Sequence, residues 1–188
     1  MTNWMARRSV LKGGLGLGIC LNLAAADILG QDDPAALRPK QGDLLVKEND
    51  AAKVPLTPGD LAIGAAQTMA WAMDPGDRTV RSASRLNRVL LIRLDAGKLD
   101  PETMARAADG VVAYTAICTH TGCEVVEWLA DEGTLHCPCH FSKFNPGAGA
   151  RVVDGPAPRP LPALPLELMD GRLVVAKPFT SRVGFETA

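Results

Sequence analysis

The sequence predicts an all-β protein, an antiparallel β base carrying a small inserted subdomain. Three observations lead there. Apolar runs are of strand length and are separated by turn residues, with 18 glycines and 14 prolines among 188 residues. Such punctuation favours short strands over long helices. Four of the five cysteines and two of the three histidines fall in two short stretches, CTHTGC at 118–123 and CPCHFS at 137–142, each following an apolar run. The length allows one domain with a modest core, and no second catalytic domain of ordinary size.

The N-terminus reads as an address. Arg7-Arg8-Ser9-Val10-Leu11-Lys12 precedes a weakly apolar run at 13–26, and Ala24-Ala25-Ala26 offers an A-x-A cleavage site. Paired arginines before such a run resemble a twin-arginine export signal. As a helix, the run would span roughly 21 Å against a hydrocarbon core of ~30 Å. Cleavage is expected; the alternative is a retained anchor, with a membrane tether through residues 11–29. Cys20 lies inside this segment and has no expected chemistry. The net charge of −1 gives no electrostatic case for nucleic acid. Removing residues 1–26 takes away Arg7, Arg8 and Lys12 and no acid, leaving −4.

Residues 27–42 are polar, carry Pro34 and Pro39, and read as a linker. The main domain is expected at 43–178, with the inserted subdomain at about 113–159 and a tail at 179–188. Within it, 61–63 is a short candidate strand and Asp74-Pro75-Gly76-Asp77 a turn. Residues 89–94 are a buried strand closed by Asp95-Ala96-Gly97. Asp100 is the N-cap of a short helix to about Ala108, with Pro101 at its first position. A strand at 111–117 runs into Cys118. Two more, at 123–128 and 133–137, flank the turn Asp131-Glu132-Gly133. Glycine and proline dominate 146–165. A hairpin over 166–169 and 172–176 turns at Asp170-Gly171. Trp71 and Trp128 are expected in the core, and His136 as a plain strand residue. Arg78, Arg81, Arg85 and Arg88 read as a solvated face, or otherwise a dock for an acidic partner.

Each cysteine–histidine stretch offers a thiolate and an imidazole (Cys118 and His120, Cys137 and His140), with Cys123 and Cys139 left over. Zinc is usually held by C-x2-C or H-x3-5-H units, and would leave two cysteines unexplained. Two structural disulfides would suit an exported protein with four cysteines, but would leave both histidines unexplained. A mixed site on two irons accounts for all six residues.

That pattern, Cys118-Thr119-His120 with Cys137-Pro138-Cys139-His140, resembles the Rieske [2Fe-2S] proteins. The resemblance extends through Thr121-Gly122-Cys123 and Ser142 to Gly155-Pro156-Ala157-Pro158, which is similar to the family's proline loop over the cluster. It implies a Rieske-type [2Fe-2S] cofactor in a Rieske fold. It further implies Cys118 and Cys137 on the inner iron, His120 and His140 on the outer iron, and a Cys123–Cys139 disulfide. Two neutral imidazoles in place of thiolates make such a cluster less negative, with potentials of about −150 to +300 mV. Ser142 matches a serine that donates to a bridging sulfide in high-potential members. Phe144 stands where those members carry a tyrosine donor, Phe141 where quinol-oxidising members have glycine, and Thr121 where many have leucine.

Three functions compete. The first is a periplasmic electron-transfer subunit serving a larger redox subunit, such as a molybdenum oxidoreductase, and a c-type cytochrome. The second is the Rieske subunit of a quinol-oxidising cytochrome bc complex, with cytochrome b and c1 as partners. "CHFSKF" resembles arsenite-oxidase-type small subunits and favours the first; "GPAPRPLP" resembles bc-type proteins. The third, an oxygenase, needs another iron held by two histidines and a carboxylate. Only His136 remains for it, so it is excluded. The chain itself shows no independent catalytic site.

Overall fold

The computed structural model describes residues 33–185. The twin-arginine segment, the possible tether at 11–29, Cys20, the first part of the linker and the last three residues lie outside the described residues. Two antiparallel sheets make up the architecture. The first contains β1 (Leu44–Lys47), β2 (Thr68–Met73), β3 (Val89–Arg93), β4 (Val111–Thr115), β9 (Leu166–Met169) and β10 (Arg172–Val175), in the order β4-β3-β2-β1-β10-β9. The second contains β5 (Glu127–Leu129), β6 (Thr134–Cys137), β7 (Ser142–Asn145) and β8 (Arg151–Asp154), in sequence order. It is inserted between β4 and β9, as the sequence predicts for a subdomain on a β base.

The strands form because their side chains serve two cores with a period of two. In β3, Val89 and Leu91 join a core with Leu45, Ala113, Leu173 and Val175, while Leu90 and Ile92 face a second one. In β4, Val111 and Ala113 take the first side, and Val112 and Tyr114 the second. Both strands are buried on both faces, which explains their unbroken apolar runs. The second core holds Leu135 and Phe144 of the inserted sheet together with Cys118 and Cys137, so the base packs directly beneath the cysteines. The free edge of β4 is covered by residues 162–164: Thr115 N donates to Pro162 O at 3.0 Å and Leu164 N to Ala113 O at 2.9 Å. Those residues lead into β9 at the sheet's other end, and the base curls back on itself.

Several sequence expectations need correction. Residues 61–63 form no strand; they follow a 3-10 turn at Pro58–Asp60, with Leu61 buried and Ile63 exposed. The helix is α1 (Pro101–Met104), shorter than expected. Asp100 caps it by accepting from Thr103 N at 2.8 Å, and left-handed Asp109 and Gly110 then turn the chain into β4. Strands β7 and β8 occupy sequence read as motif or as glycine- and proline-rich loop. The hairpin β9–β10 turns at Asp170 (φ 51°) and Gly171 (φ 75°), a left-handed pair suited to a two-residue connection.

The expected solvated face holds for Arg78 and Arg85, which are exposed, and fails for Arg81 and Arg88. Arg81 is 2% exposed and grips the buried Asp43 carboxylate with Nε at 2.6 Å and Nη2 at 3.0 Å. Arg88 bridges Glu48 and Glu124. Arg85 donates to Gly122 O, and Arg78 to the carbonyls of Ala52 and Lys53. The described part of the expected linker is docked: Asn87 Nδ2 donates to Leu37 O at 2.7 Å, and Ala83 N to Ala35 O at 3.0 Å. Trp128 packs against the second core and donates to Gly64 O, while Trp71 is half-buried in β2. Among the described residues no helix is long and apolar enough to cross a membrane.

Candidate metal centre

Strand ends position the two cysteine–histidine loops. The first leaves β4 and closes as a tight turn: Cys118 N donates to Cys123 O at 2.7 Å, and Gly122 N to Cys118 O at 3.1 Å. Gly122 sits at φ +80°, and a Cβ there would lie 2.9 Å from the Phe185 ring, so a larger residue is strained and must displace the ring. The second loop leaves β6 at Cys137, whose carbonyl accepts from Phe141 N at 2.9 Å, and re-enters the sheet at Ser142, paired with Cys137 across the ladder. The Cys123–Cys139 disulfide joins the two turns, with Cα atoms 6.4 Å apart.

The loops bring the remaining residues together in two pairs, thiol beside thiol and imidazole beside imidazole. Cys118 and Cys137 are free thiols, 0% and 1% exposed, close enough to share a hydrogen bond. Burial pushes the Cys118 thiol up to about 11, and the neighbouring Cys137 adds to this. Hydrogen bonds from the His120 backbone and the Ser142 hydroxyl act in the opposite direction. A metal would have to displace these protons, since the thiolate is the ligand. The His120 and His140 rings meet edge to face with centroids 4.6 Å apart. His120 Nδ1 is buried and makes no hydrogen bond among the described residues. A buried imidazole nitrogen without a partner is costly unless a ligand completes it. Two soft sulfurs in the interior, two imidazoles outside them and this uncompensated nitrogen fit a [2Fe-2S] cluster with mixed ligation.

The surrounding shell is tightly fitted. Gly155 (φ +84°) lies against Ser142, where a Cβ would come within 2.5 Å of Ser142 Cα. Ser142 is fully buried, and its Oγ accepts from Ala157 N at 3.1 Å. Thr119 Oγ1 donates to Arg159 O at 2.7 Å, tying the first loop to the proline loop. Thr121 is exposed, with Oγ1 3.8 Å from Cys123 Sγ; Pro156 is exposed. Phe144 is fully buried in the core that holds both free cysteines, whereas Phe141 is 67% exposed at φ 62°. Sequence reasoning missed one arrangement. His136 Nδ1 lies 2.6 Å from Glu127 Oε2, and its ring stacks on Phe141 with centroids 6.0 Å apart. The only available signal was that residues 127 and 136 face each other once β5 and β6 are paired.

These features define an iron–sulfur protein built for electron transfer. Residues 78–165 match the model of the Rieske [2Fe-2S] domain. The Rieske iron–sulfur subunit of the Streptomyces lividans cytochrome bc1 complex is 36% identical over 152 residues, covering 77% of this chain and 85% of that one. A putative respiratory nitrate reductase Rieske subunit from Haloferax mediterranei is 47% identical over 76 residues, 40% of this chain and 34% of that one. The chloroplastic cytochrome b6-f iron–sulfur subunit of Volvox carteri is 41% identical over 80 residues, 41% and 37% of the two chains. The chain belongs to the Rieske iron–sulfur family, and its cofactor is a Rieske-type [2Fe-2S] cluster.

Proposed function

We propose that this chain is the one-electron subunit of a larger periplasmic oxidoreductase, delivering electrons to a c-type cytochrome. Cys118 and Cys137 hold the inner iron, and His120 and His140 the outer one. When bound, the cluster supplies a one-electron couple at moderate potential. The chain's own residues do the rest. The buried thiols sit over the base core, the disulfide and Gly155 hold the loops together, and His140 stays exposed at the edge where a partner can approach. The carrying observation is the pairing of two buried free thiols with two contacting histidines, one of them with an uncompensated Nδ1.

Phe144 supports a partner other than quinol: it is buried with the cysteines and has no hydroxyl to donate to sulfur. The exposed Phe141 beside His140 points the same way, as does the identity with the Haloferax nitrate reductase subunit. The second reading is the iron–sulfur subunit of a quinol-oxidising bc complex. It is favoured by the Streptomyces relative, matched along most of its length, and by the proline loop. Purification of the tagged full chain from its own cells, with mass spectrometry of bound subunits and an EPR-monitored redox titration, separates the two. A molybdopterin-type partner and a midpoint in the lower part of the roughly −150 to +300 mV range support the first. A copurifying cytochrome b supports the second. A midpoint near the approximately −400 mV of all-thiolate plant-type clusters would sink the ligand assignment.

A further inference from the structure

The chain after β10 returns to the metal centre. Thr180 N donates to Ala163 O at 2.9 Å, and Thr180 Oγ1 accepts from Ala163 N at 3.0 Å, so residue 180 is anchored beside β4. Val183 is buried, and Gly184 (φ +90°) rests against Leu86 and Ile117, the latter one residue before Cys118. The Phe185 ring then packs on Gly122 in the first cluster loop, where Arg85 Nη1 also holds the Gly122 carbonyl at 2.9 Å. Arg159 of the proline loop joins the pieces. Its guanidinium donates to the carbonyls of Arg182 and Gly184 at 2.8 and 2.6 Å, and its own carbonyl accepts from Thr119. One residue therefore connects the C-terminal segment, the proline loop and the loop carrying Cys118 and His120.

We propose that residues 180–185 are a strap that locks the first cluster loop shut, with Arg159 and Phe185 as positioning residues. The strap slows opening of the 118–123 turn, and so would slow loss of iron held by the loop that carries Cys118 and His120. The second effect rests on the ligand assignment above; the first rests on the hydrogen bonds and packing alone.

The test uses the full-length, cluster-loaded protein with Arg159→Met, Phe185→Ala and the conservative Phe185→Leu. Amide hydrogen exchange, read by mass spectrometry, follows the Cys118 and Gly122 amides, both hydrogen-bonded within the turn. Loss of two carbonyl hydrogen bonds should speed their exchange by roughly tenfold in Arg159→Met, with a smaller gain in Phe185→Ala. Strands β3 and β10 should be unchanged, and Phe185→Leu should restore slow exchange. Bleaching of the visible cluster absorbance by an iron chelator should accelerate several-fold in the same order. Unchanged exchange at 118–123 in both variants overturns the strap. So does exchange that rises throughout the molecule in both, which makes the residues merely structural. Faster exchange with unaltered bleaching overturns the protective role. Faster exchange together with cluster spectra that persist when His120 and His140 are replaced leaves the strap standing and removes the ligand assignment instead.

Discussion

Ser142 is the residue whose removal says most about the site. It is fully buried, its Oγ accepts from Ala157 N at 3.1 Å, and its hydroxyl is one of the groups that hold the Cys118 thiol down against its burial. Ser142→Ala removes both contacts at once. A hydrogen bond to a charged acceptor contributes about 1.5–3 kcal/mol. Only the part that differs between oxidised and reduced cluster moves the potential. If that part is about a third, it is ~0.5–1 kcal/mol; with ~59 mV per tenfold change for a one-electron couple, the midpoint falls by roughly 20–40 mV. The second contact acts on stability alone. Ala157 N, left without its acceptor in a buried position, costs about 1–3 kcal/mol. The two effects are separable by an EPR-monitored titration at fixed pH and a melting curve on the same sample. A variant that melts earlier but keeps the wild-type midpoint would refute the donor role and reduce Ser142 to a prop for the proline loop.

Other outcomes follow from the same geometry. Phe144→Tyr should raise the midpoint by tens of millivolts if its hydroxyl reaches a ligand sulfur; an unchanged titration, with a wild-type midpoint as high as that of quinol-oxidising relatives, would favour the bc-complex reading. Replacing Cys123 and Cys139 by serine removes a cross-link over 16 residues, about 3 kcal/mol of chain entropy; cluster half-life should shorten before the base unfolds, and an unaltered half-life would contradict the clamp. Replacing Arg7 and Arg8 by lysine should leave cluster-loaded protein in the cytoplasm, and normal periplasmic accumulation would end the twin-arginine reading. Burial pushes the Tyr114 phenol well above its ordinary value, and its hydroxyl donates to Pro146 O at 2.6 Å. The folded state therefore favours the protonated form, so stability is full below the ordinary tyrosine range and declines as pH rises above about 10. Tyr114→Phe should lose about 1–3 kcal/mol at neutral pH, through the abandoned carbonyl, and flatten that alkaline decline in a pH series of melts.

The parts of the fold legible in the sequence are those with local signatures. Strand β3 announces itself as an apolar run, α1 by the Asp100-Pro101 start, and the β9–β10 hairpin by Asp170-Gly171. The two cysteine–histidine loops are legible because their motifs resemble those of the Rieske proteins. What was not legible depends on partners distant in sequence. Arg81 reads as surface charge until Asp43, 38 residues away, is folded against it. The C-terminal residues read as a tail until Arg159 and Gly122 are placed beside them. Strand β7 was hidden because its first residue was already read as part of the metal motif, and β8 because glycine and proline crowd its neighbourhood. Both are recruited by pairing onto β6, not by strong propensity of their own.

Phe141 shows how the site's exposed face is set by backbone geometry. The turn after Cys137 closes when Phe141 N reaches the Cys137 carbonyl, and the chain must then re-enter the sheet at Ser142 in register with Cys137. That path requires a left-handed residue at 141, a place where glycine is free and phenylalanine costs about 1–2 kcal/mol. The same backbone leaves the ring 67% exposed, beyond the reach of the core that holds Phe144. His136 partly supports it by stacking, and Glu127 fixes the His136 ring from the neighbouring strand. A costly backbone and an uncovered aromatic ring thus meet at the residue following the exposed His140. Neither cost is needed for folding, since glycine would satisfy the turn. Within the proposed function, the reason to keep phenylalanine lies in what approaches His140.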